Sequence, residues 1–566
     1  MDLKNQVAQV IKSSIETELT LEQIQNLLEV PKHEGHGDIA FPCFIFAKEL
    51  RKAPQAIAQE IAPQIEGEIV DRVEAVGPYI NFFLNQTLVT QAILTEIYEA
   101  GNHFGELAIG HGENITIDMS SPNIAKPMSM GHLRSTVIGN AIANITKKVG
   151  FNPVRINHLG DWGTQFGKLI VGYKKWGSEE AVRENPIQEL LKYYVQFHEE
   201  AENDESLEDE GRLWFKKLED GDPEAYALWK WFKDESLKEF QRIYDILGIE
   251  FDSYNGEAFY SDKMPAVIDE LNDKGLLKVD RGATIVDLEA YNLNPALIKK
   301  SDGATLYITR DLATALYRKD TYNFDQSLYV VGNEQSNHFK QLKAVLELMG
   351  YDWAADINHI PFGLITQDGK KLSTRKGNVV LLEDVLNDAI DLAFKQINEK
   401  NPDLENKEEV AHQVGVGAVI FHDLKNDRLN SFDFNLEEVV QFEGETGPYV
   451  QYANARAHSI LRKGNFEPAK ISEMTNFNLD SDEAFQVLKE LNRYPDIVAS
   501  AYEKYEPSVV AKYLLALSQQ FNKYYAHTRI LTEDDQLQSR LALVYALTQV
   551  LESGLAILGV QAPSQM

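Results

Sequence analysis

The chain of 566 residues is 44% hydrophobic and 25% charged, proportions that exclude a disordered or fibrous protein and allow several buried cores; at about 150 residues per domain, three or four domains are expected. Its 55 basic against 87 acidic residues leave a formal charge of −32, a balance that leans away from a nucleic-acid partner because phosphate binding relies on Lys and Arg. A single cysteine, Cys43, excludes an internal disulfide framework and fits a reducing compartment.

Amphipathic helices are expected at 4–29 and 53–65, followed by a β segment at 73–85. The start of the chain lacks the basic flank and apolar core of a signal peptide. No uninterrupted apolar run of about 18 residues is found, so no membrane span is expected and the expected location is cytoplasmic. Three glycines in "GELAIGHGEN" (105–114) separate the first unit from the second. From 115 to about 175 the pattern is strand, loop, helix, strand: "NITIDMSSP", then a helix with apolar Leu133, Val137, Ile138, Ala141, Ile142 and Ile145, then "PVRINHL". This is the grammar of a βαβ unit, which implies a parallel sheet with its ligand at the strands' carboxyl ends. Residues 178–245 are helical, acidic and aromatic, an insertion between sheet strands, and the acidic run 198–211 reads as a solvated helix face. Alternation resumes at 304–319, 326–350 and 359–386, where "PFGLI" is expected as a strand, and helical periodicity dominates beyond 405 apart from "FDFNLEEVV".

Two segments carry chemistry. In "NIAKPMSMGHLRST", from Asn123, a proline-braced loop opens a helix at Gly131-His132. A helix N-terminus presents unpaired N–H groups and about half a positive charge, a ready phosphate site. Gly131 lets a flat ligand approach the backbone, His132 lies in the first turn, and Lys126 adds charge from the loop. In "DGKKLSTRKGN" (368–378), Lys370, Lys371, Arg375 and Lys376 lie between two glycines. Such a loop can close on a triphosphate and neutralise charge on departing pyrophosphate. Alone, the first segment reads better as a packed βα turn and the second as a solvated basic loop; together in one α/β region they point to a nucleotide.

"SSPNIAKPMSMGHLRST", "NHLGDWGTQFG", "LYITRD" and "KLSTRKGNVV" resemble, in this order, the signature segments of class I aminoacyl-tRNA synthetases of the arginyl type, with "SMGH" at the HIGH position and "KLSTR" at the KMSKS position. The resemblance extends to "GDIAFPCFIFAKELRKAPQAIAQEIA" (37–62), similar to a tRNA-elbow-binding domain, and to "ETGPYVQYANARAHSI" (445–460), similar to the start of a helical anticodon-binding domain. It implies an α/β protein with a Rossmann-type parallel-sheet catalytic domain at 109–400, an α+β N-terminal domain at 1–108 and an all-helical anticodon-binding domain at 401–566. The implied partners are L-arginine, ATP with Mg2+ and the arginine acceptor tRNA; the implied state is a monomer, with arginine activation waiting for bound tRNA. His132, Lys126, Ser129, Lys371 and Arg375 take the catalytic positions, and Gly131 and Ser373 join His132, Lys126 and Lys371 around ATP. The first HIGH histidine is Ser129 here and the second KMSKS lysine is Thr374. A hydroxyl donates a hydrogen bond but carries no charge, and Lys126 is the expected compensator.

The resemblance places arginine contacts on Asp118, Asn123, Tyr307, Asp311 and Gln335. The residue types suit the ligand: a planar, always charged guanidinium asks for carboxylates in a fork, and Tyr307 and Asp311 are spaced to share a helix face. In the glycine-rich "HLGDWGTQFG", Asp161 and Gln165 are candidates for the tRNA terminal adenosine and Trp162 for stacking, against a core position for Trp162. Tyr449, Tyr452 and Arg456, at helical spacing, suit unstacked anticodon bases, against tyrosines packed in a bundle. His33, His36 and Cys43 are too few ligands for a closed zinc site, and no dedicated metal site is expected.

Overall fold

A computed structural model of the chain describes residues 1–305, 307–372, 374–375, 378–479 and 481–566. They divide into two units, one built from Met1–Phe104, Ala453–Tyr494 and Ala516–Leu551, the other from Gly105–Tyr452, Pro495–Leu515 and Glu552–Met566.

In the first unit the amphipathic stretch 4–29 forms two helices, Leu3–Ser14 and Leu21–Leu27. The division falls where Ile15 turns extended and Thr20 starts a new helix with a capping box, exchanging hydrogen bonds with Gln23. The β segment is two strands of an antiparallel three-stranded sheet, Tyr79–Leu84 lying between Ile39–Pro42 and Val70–Val76. Asp38 accepts from the Leu84 N–H at 2.9 Å and pairs with Lys489 at 2.6 Å, tying the sheet to the helix Asp482–Asn492. The helix Leu537–Ile557 has the length and mean hydropathy, 1.3, to cross a membrane, yet 72% of that window is buried. It carries Arg540, paired with Asp534 at 2.9 Å, and reads as a core helix.

The second unit is organised by four parallel strands: β1 (Asn114–Asp118), β2 (Asn152–Ile156), β3 (Gln326–Val330) and β4 (Ile357–Ile360), in the order β4-β3-β1-β2. The two central strands are almost wholly buried, as expected of a sheet covered on both faces. The helix Leu133–Lys148 connects β1 to β2 and is buried nearly all round. Gly139 makes that possible: a Cβ there would stand 2.5 Å from the Cβ of Met119, just past the end of β1. Gly139→Val is therefore expected to cost the about 1–3 kcal/mol typical of overpacking, read as a lowered urea midpoint.

The helix Thr164–Trp176 follows β2, and the insertion comprises helices Glu179–Glu184, Pro186–Ala201, Ser206–Glu219 and Pro223–Leu247, the last closed by Gly248 in the left-handed region. The acidic run spans the end of one helix and the start of the next, and is mostly exposed. Beyond it lies an antiparallel sheet that sequence reasoning did not anticipate, Leu277–Asp280, Ala283–Val286 and Ala296–Lys299. Of the expected strand "PFGLI", residues 361–364 are instead the link after β4, and only Ile365 enters a short strand, Ile365–Gln367. That strand pairs with Lys370–Lys371 on one side and, in parallel, with Phe432–Asp433 from "FDFNLEEVV" on the other.

Candidate active site

Past Asp118 at the carboxyl end of β1, the chain enters a strained loop. Ser120, Ser121 and Ala125 all have left-handed backbones, with φ of 66°, 53° and 63°, a conformation costly for residues with a Cβ and concentrated at functional sites. The strain is held by partners from elsewhere. The Ser121 hydroxyl donates to Asp118 at 3.0 Å and its N–H to the Asn157 side chain at 3.1 Å. Ser120 Oγ lies 2.7 Å from the Tyr244 hydroxyl, and the Ala125 N–H donates to Ser236 Oγ at 3.0 Å. Tyr244 and Ser236 belong to the insertion helix Pro223–Leu247, so the insertion braces this loop. Gly160 is required beside it, since a Cβ there would lie 1.9 Å from Asn123 Oδ1.

The loop ends in a 3-10 turn, Met130–His132, capped by Ser129, whose Oγ accepts from the Gly131 N–H at 3.2 Å. The Ser129 N–H donates to His132 Nδ1 at 3.0 Å. A backbone amide can only donate, so Nδ1 is the bare nitrogen and Nε2 carries the hydrogen. Burial lowers the His132 pKa, outweighing an opposing pull from the Ser129 backbone, and the nearby Lys371 charge adds to the lowering. His132 is therefore a neutral imidazole near pH 7, with an N–H donor at the mouth of a helix N-terminus.

Across from it, Lys371 stands exposed on the hairpin whose turn is Asp368-Gly369. A cleft of about 310 Å³ separates the two, lined among others by Ser129, Gly131, Gly332, Glu334 and Leu364. Beyond the basic loop the chain returns to the first wall: the Met130 N–H donates to the Val380 carbonyl at 2.9 Å and the Leu382 N–H to that of Met128 at 3.0 Å. Lys126 is exposed, its Nζ 5.6 Å from the ring centre of Tyr194 on the insertion helix Pro186–Ala201. Ser373 lies outside the described residues, as do the side chains of Tyr307 and Arg375. The backbones of these two open the helix Tyr307–Tyr322 and end the strand Thr374–Arg375.

The residues expected around arginine are distributed unevenly. Asp118 is buried and its Oδ2 accepts from Arg318 Nη2 at 2.9 Å, so its carboxylate already holds a guanidinium of the chain itself. Asp311 accepts from His338 Nε2; burial works against the His338 charge, but Asp311 outweighs it and raises the pKa. Gln335 closes a 3-10 turn after β3, and Asn123 is exposed and bridged to Gly160. Sequence reasoning missed Glu257, whose pKa is pushed up to about 7 by burial and by Asp161 and Asp311, against Arg310 and the Trp162 backbone. No motif marks it, because its partners come from distant segments.

Asp161, expected at the tRNA terminal adenosine, points inward. Its carboxylate is fully buried, paired with Lys233 at 2.9 Å, and accepts from the Ala258 N–H at 2.9 Å. Trp162 packs edge-on against Phe215 and Trp229, each at 5.7 Å, the core alternative, and Gln165 donates back to the Trp162 carbonyl at 3.0 Å. On the helix Gly447–Lys463, Tyr449 is half-buried and Tyr452 packs on Phe442 at 5.8 Å. Arg456 donates to Asn522 at 2.9 Å and lies 4.6 Å from the Tyr525 ring centre.

A parallel sheet carrying a Gly-His helix turn, faced by a basic hairpin across a nucleotide-sized cleft, defines the catalytic domain of a class I aminoacyl-tRNA synthetase. Residues 93–436 match the family model for "tRNA synthetases class I (R), catalytic domain", residues 450–566 the DALR anticodon binding domain, and residues 1–84 the arginyl tRNA synthetase N terminal domain. The chain is 64% identical to the arginine–tRNA ligase of Enterococcus faecalis and 63% identical to that of Latilactobacillus sakei, in both cases over the whole of both chains. Its fold matches Thermus thermophilus arginyl-tRNA synthetase with a TM-score of 0.78 at 26% identity, covering 100% of this chain and 99% of that one. The chain belongs to the arginyl-tRNA synthetase family.

Proposed function

We infer that the chain joins L-arginine to tRNA in two steps, with ATP bound between His132 and Lys371. In the first, the arginine carboxylate attacks the α-phosphorus, pyrophosphate leaves, and arginyl-adenylate forms. In the second, a ribose hydroxyl of the tRNA 3′ end attacks the arginyl carbonyl and AMP leaves. No side-chain nucleophile is needed, so the protein acts by positioning and by stabilising charge. The observation that carries this reading is the forced Nε2–H of His132 opposite Lys371.

His132 donates to an α-phosphate oxygen from the helix N-terminus, and Gly131 leaves room for the nucleotide. Ser129 serves chiefly to hold the turn, its N–H and Oγ being engaged by His132 and Gly131. Lys371, with Arg375 and Ser373, meets the departing pyrophosphate, and Lys126 leaves Tyr194 to join the phosphates. Mg2+ arrives with ATP as part of that substrate. The substrate guanidinium sits against Asp311, Tyr307 and Glu257, while Asn123 and Gln335 take its ammonium and carboxylate end. Asp118 walls the pocket through Arg318. The raised pKa of Glu257 supports this arrangement: burial, with Asp161 and Asp311 nearby and only partly offset by Arg310, disfavours its charged form, and a further cation would favour it.

Residues 109–400 carry this chemistry, 1–108 dock on the tRNA elbow, and 401–566 read the anticodon with Tyr449, Tyr452 and Arg456. The chain acts as a monomer, and arginine activation waits for tRNA. ATP–pyrophosphate exchange with each amino acid, with and without total tRNA, tests the activation step, its amino acid and its dependence on tRNA. Exchange with arginine alone, and only with tRNA, is expected. Exchange with another amino acid overturns the arginine pocket. No exchange while tRNA is still retained on a filter overturns the catalytic reading in favour of a binding paralogue.

A further inference from the structure

Two residues beyond His132, Arg134 enters the interior from the first turn of the helix Leu133–Lys148 and is 1% exposed. Its Nε donates to Asp423 Oδ1 at 3.3 Å and its Nη1 to the Asn430 carbonyl at 2.9 Å. Asp423, on the helix Lys407–Leu424, is equally buried. The guanidinium lies 4.9 Å from the Phe432 ring centre and 5.8 Å from that of Phe362, and Arg134 and Phe362 both line the nucleotide cleft.

The strip that Arg134 grips carries the opposite wall. The Phe432 N–H donates to the Leu364 carbonyl at 3.1 Å and the Gly363 N–H to that of Arg428 at 2.8 Å. Ile365 and Thr366 pair in register with Phe432 and Asp433, and Thr366 on its other side pairs with Lys371. An unbroken line of contacts thus runs from His132 through Arg134, Asn430 and Phe432, and Ile365 and Thr366, to Lys371.

A buried ion pair adds little net stability over apolar groups of the same volume. What an arginine adds is direction, because its planar fork holds two acceptors at a fixed angle. We propose that Arg134 is a positioning residue for adenylate formation, setting the spacing of His132 and the Lys371 hairpin across the cleft. This rests on the reading of the cleft as the ATP site.

The test uses the full-length protein as Arg134→Met, Arg134→Lys, Asp423→Asn and the Arg134→Met/Asp423→Asn double variant. Arginine- and tRNA-dependent ATP–pyrophosphate exchange is measured with kcat and both KM values, alongside tRNA retention and the urea midpoint. Misplacement of reacting groups by about 1 Å costs on the order of 10²-fold, so a fall of that size in kcat is expected for Arg134→Met. KM for arginine and tRNA retention should stay within about twofold, because uniform binding is untouched. Arg134→Lys should recover only a minor part of the rate, since an ammonium lacks the fork. Asp423→Asn should lower kcat less, and adding it to Arg134→Met should cost nothing further, as expected of two residues acting as one unit. If Arg134→Met fails to fold, Asp423→Asn, which keeps shape and volume, carries the kcat-against-KM comparison alone. Wild-type kcat in the folded variants, additive losses, or parallel losses in KM for arginine and tRNA retention would overturn the proposal. A wild-type protein without arginine-dependent exchange would overturn the reading of the cleft instead.

Discussion

His132→Ala lowers kcat for arginine-dependent exchange by about 10²–10³-fold, the loss typical of removing one preorganised donor from developing charge, with a smaller change in KM for ATP. The size reflects the geometry. The Ser129 N–H occupies Nδ1, so the ring has a single tautomer and its donor is already aimed when the nucleotide arrives. Because burial and Lys371 both depress the pKa, the ring stays neutral at pH 7. Acid then acts in a definite direction: protonation places a hydrogen on Nδ1, opposes the Ser129 N–H, and loosens the turn, so the rate falls as pH drops through the lowered pKa. His132→Gln should recover part of the rate, keeping an N–H donor. It leaves the Ser129 N–H short of its acceptor, a loss of about 1–3 kcal/mol when such a group is buried. Steady-state exchange kinetics over pH 5–8 (about that range, chosen to bracket an ordinary histidine) check both the magnitude and the sign.

The second large effect concerns arginine affinity and Glu257. With its pKa pushed up to about 7, Glu257 is roughly half protonated in the free protein at neutrality, and a guanidinium beside it expels the proton. Arginine should bind more tightly as pH rises through about 7 and weaken by up to about tenfold per unit on the acid side. Glu257→Gln should flatten that dependence and weaken binding by the about 1.5–3 kcal/mol of a charge-assisted hydrogen bond. Stability has the complementary sign. A carboxyl whose folded pKa lies above its unfolded value of about 4.3 contributes stability below that value and loses it as pH rises through about 7. The thermal shift produced by arginine should therefore grow across the same window, and a calorimetric titration in two buffers of different ionisation enthalpy should register the released proton. An arginine affinity independent of pH would remove Glu257 from the pocket.

The parallel sheet, the helix opened by Gly131-His132 and the basic character of 368–378 were legible because each is a local pattern: β-branched runs, a proline-braced glycine turn, clustered lysines. That the basic segment is part of a hairpin was not legible, and neither was what braces these elements. Ser236 and Tyr244 meet Ala125 and Ser120 across more than a hundred residues, and Arg318 reaches Asp118 across 200. No spacing rule connects such pairs in one sequence. Asp161 shows the same limit in reverse. Three glycines around it suggested an open, ligand-facing loop, yet Lys233 from the insertion draws the carboxylate inward. The sheet Leu277–Val286 and Ala296–Lys299 escaped because its first strand is mostly exposed and shows no clean alternation. The charge of −32 misled as an average: part of the acid excess sits on the exposed insertion, whereas recognition of a polyanion depends on local surface.

The left-handed backbones of Ser120, Ser121 and Ala125 move a cost in time. A flexible loop would have to lose its conformational freedom each time a nucleotide arrived, at about 1–2 kcal/mol per residue. Here the freedom is surrendered once, during folding, when Tyr244 and Ser236 close over the loop. Successive turnovers then meet a surface already in shape, and the thermodynamic burden of catalysis rests on the stability of the whole domain. The loop after β1 is in this sense kept rigid by the helix Pro223–Leu247, and heating should abolish turnover as soon as that helix loosens, before the sheet itself unfolds.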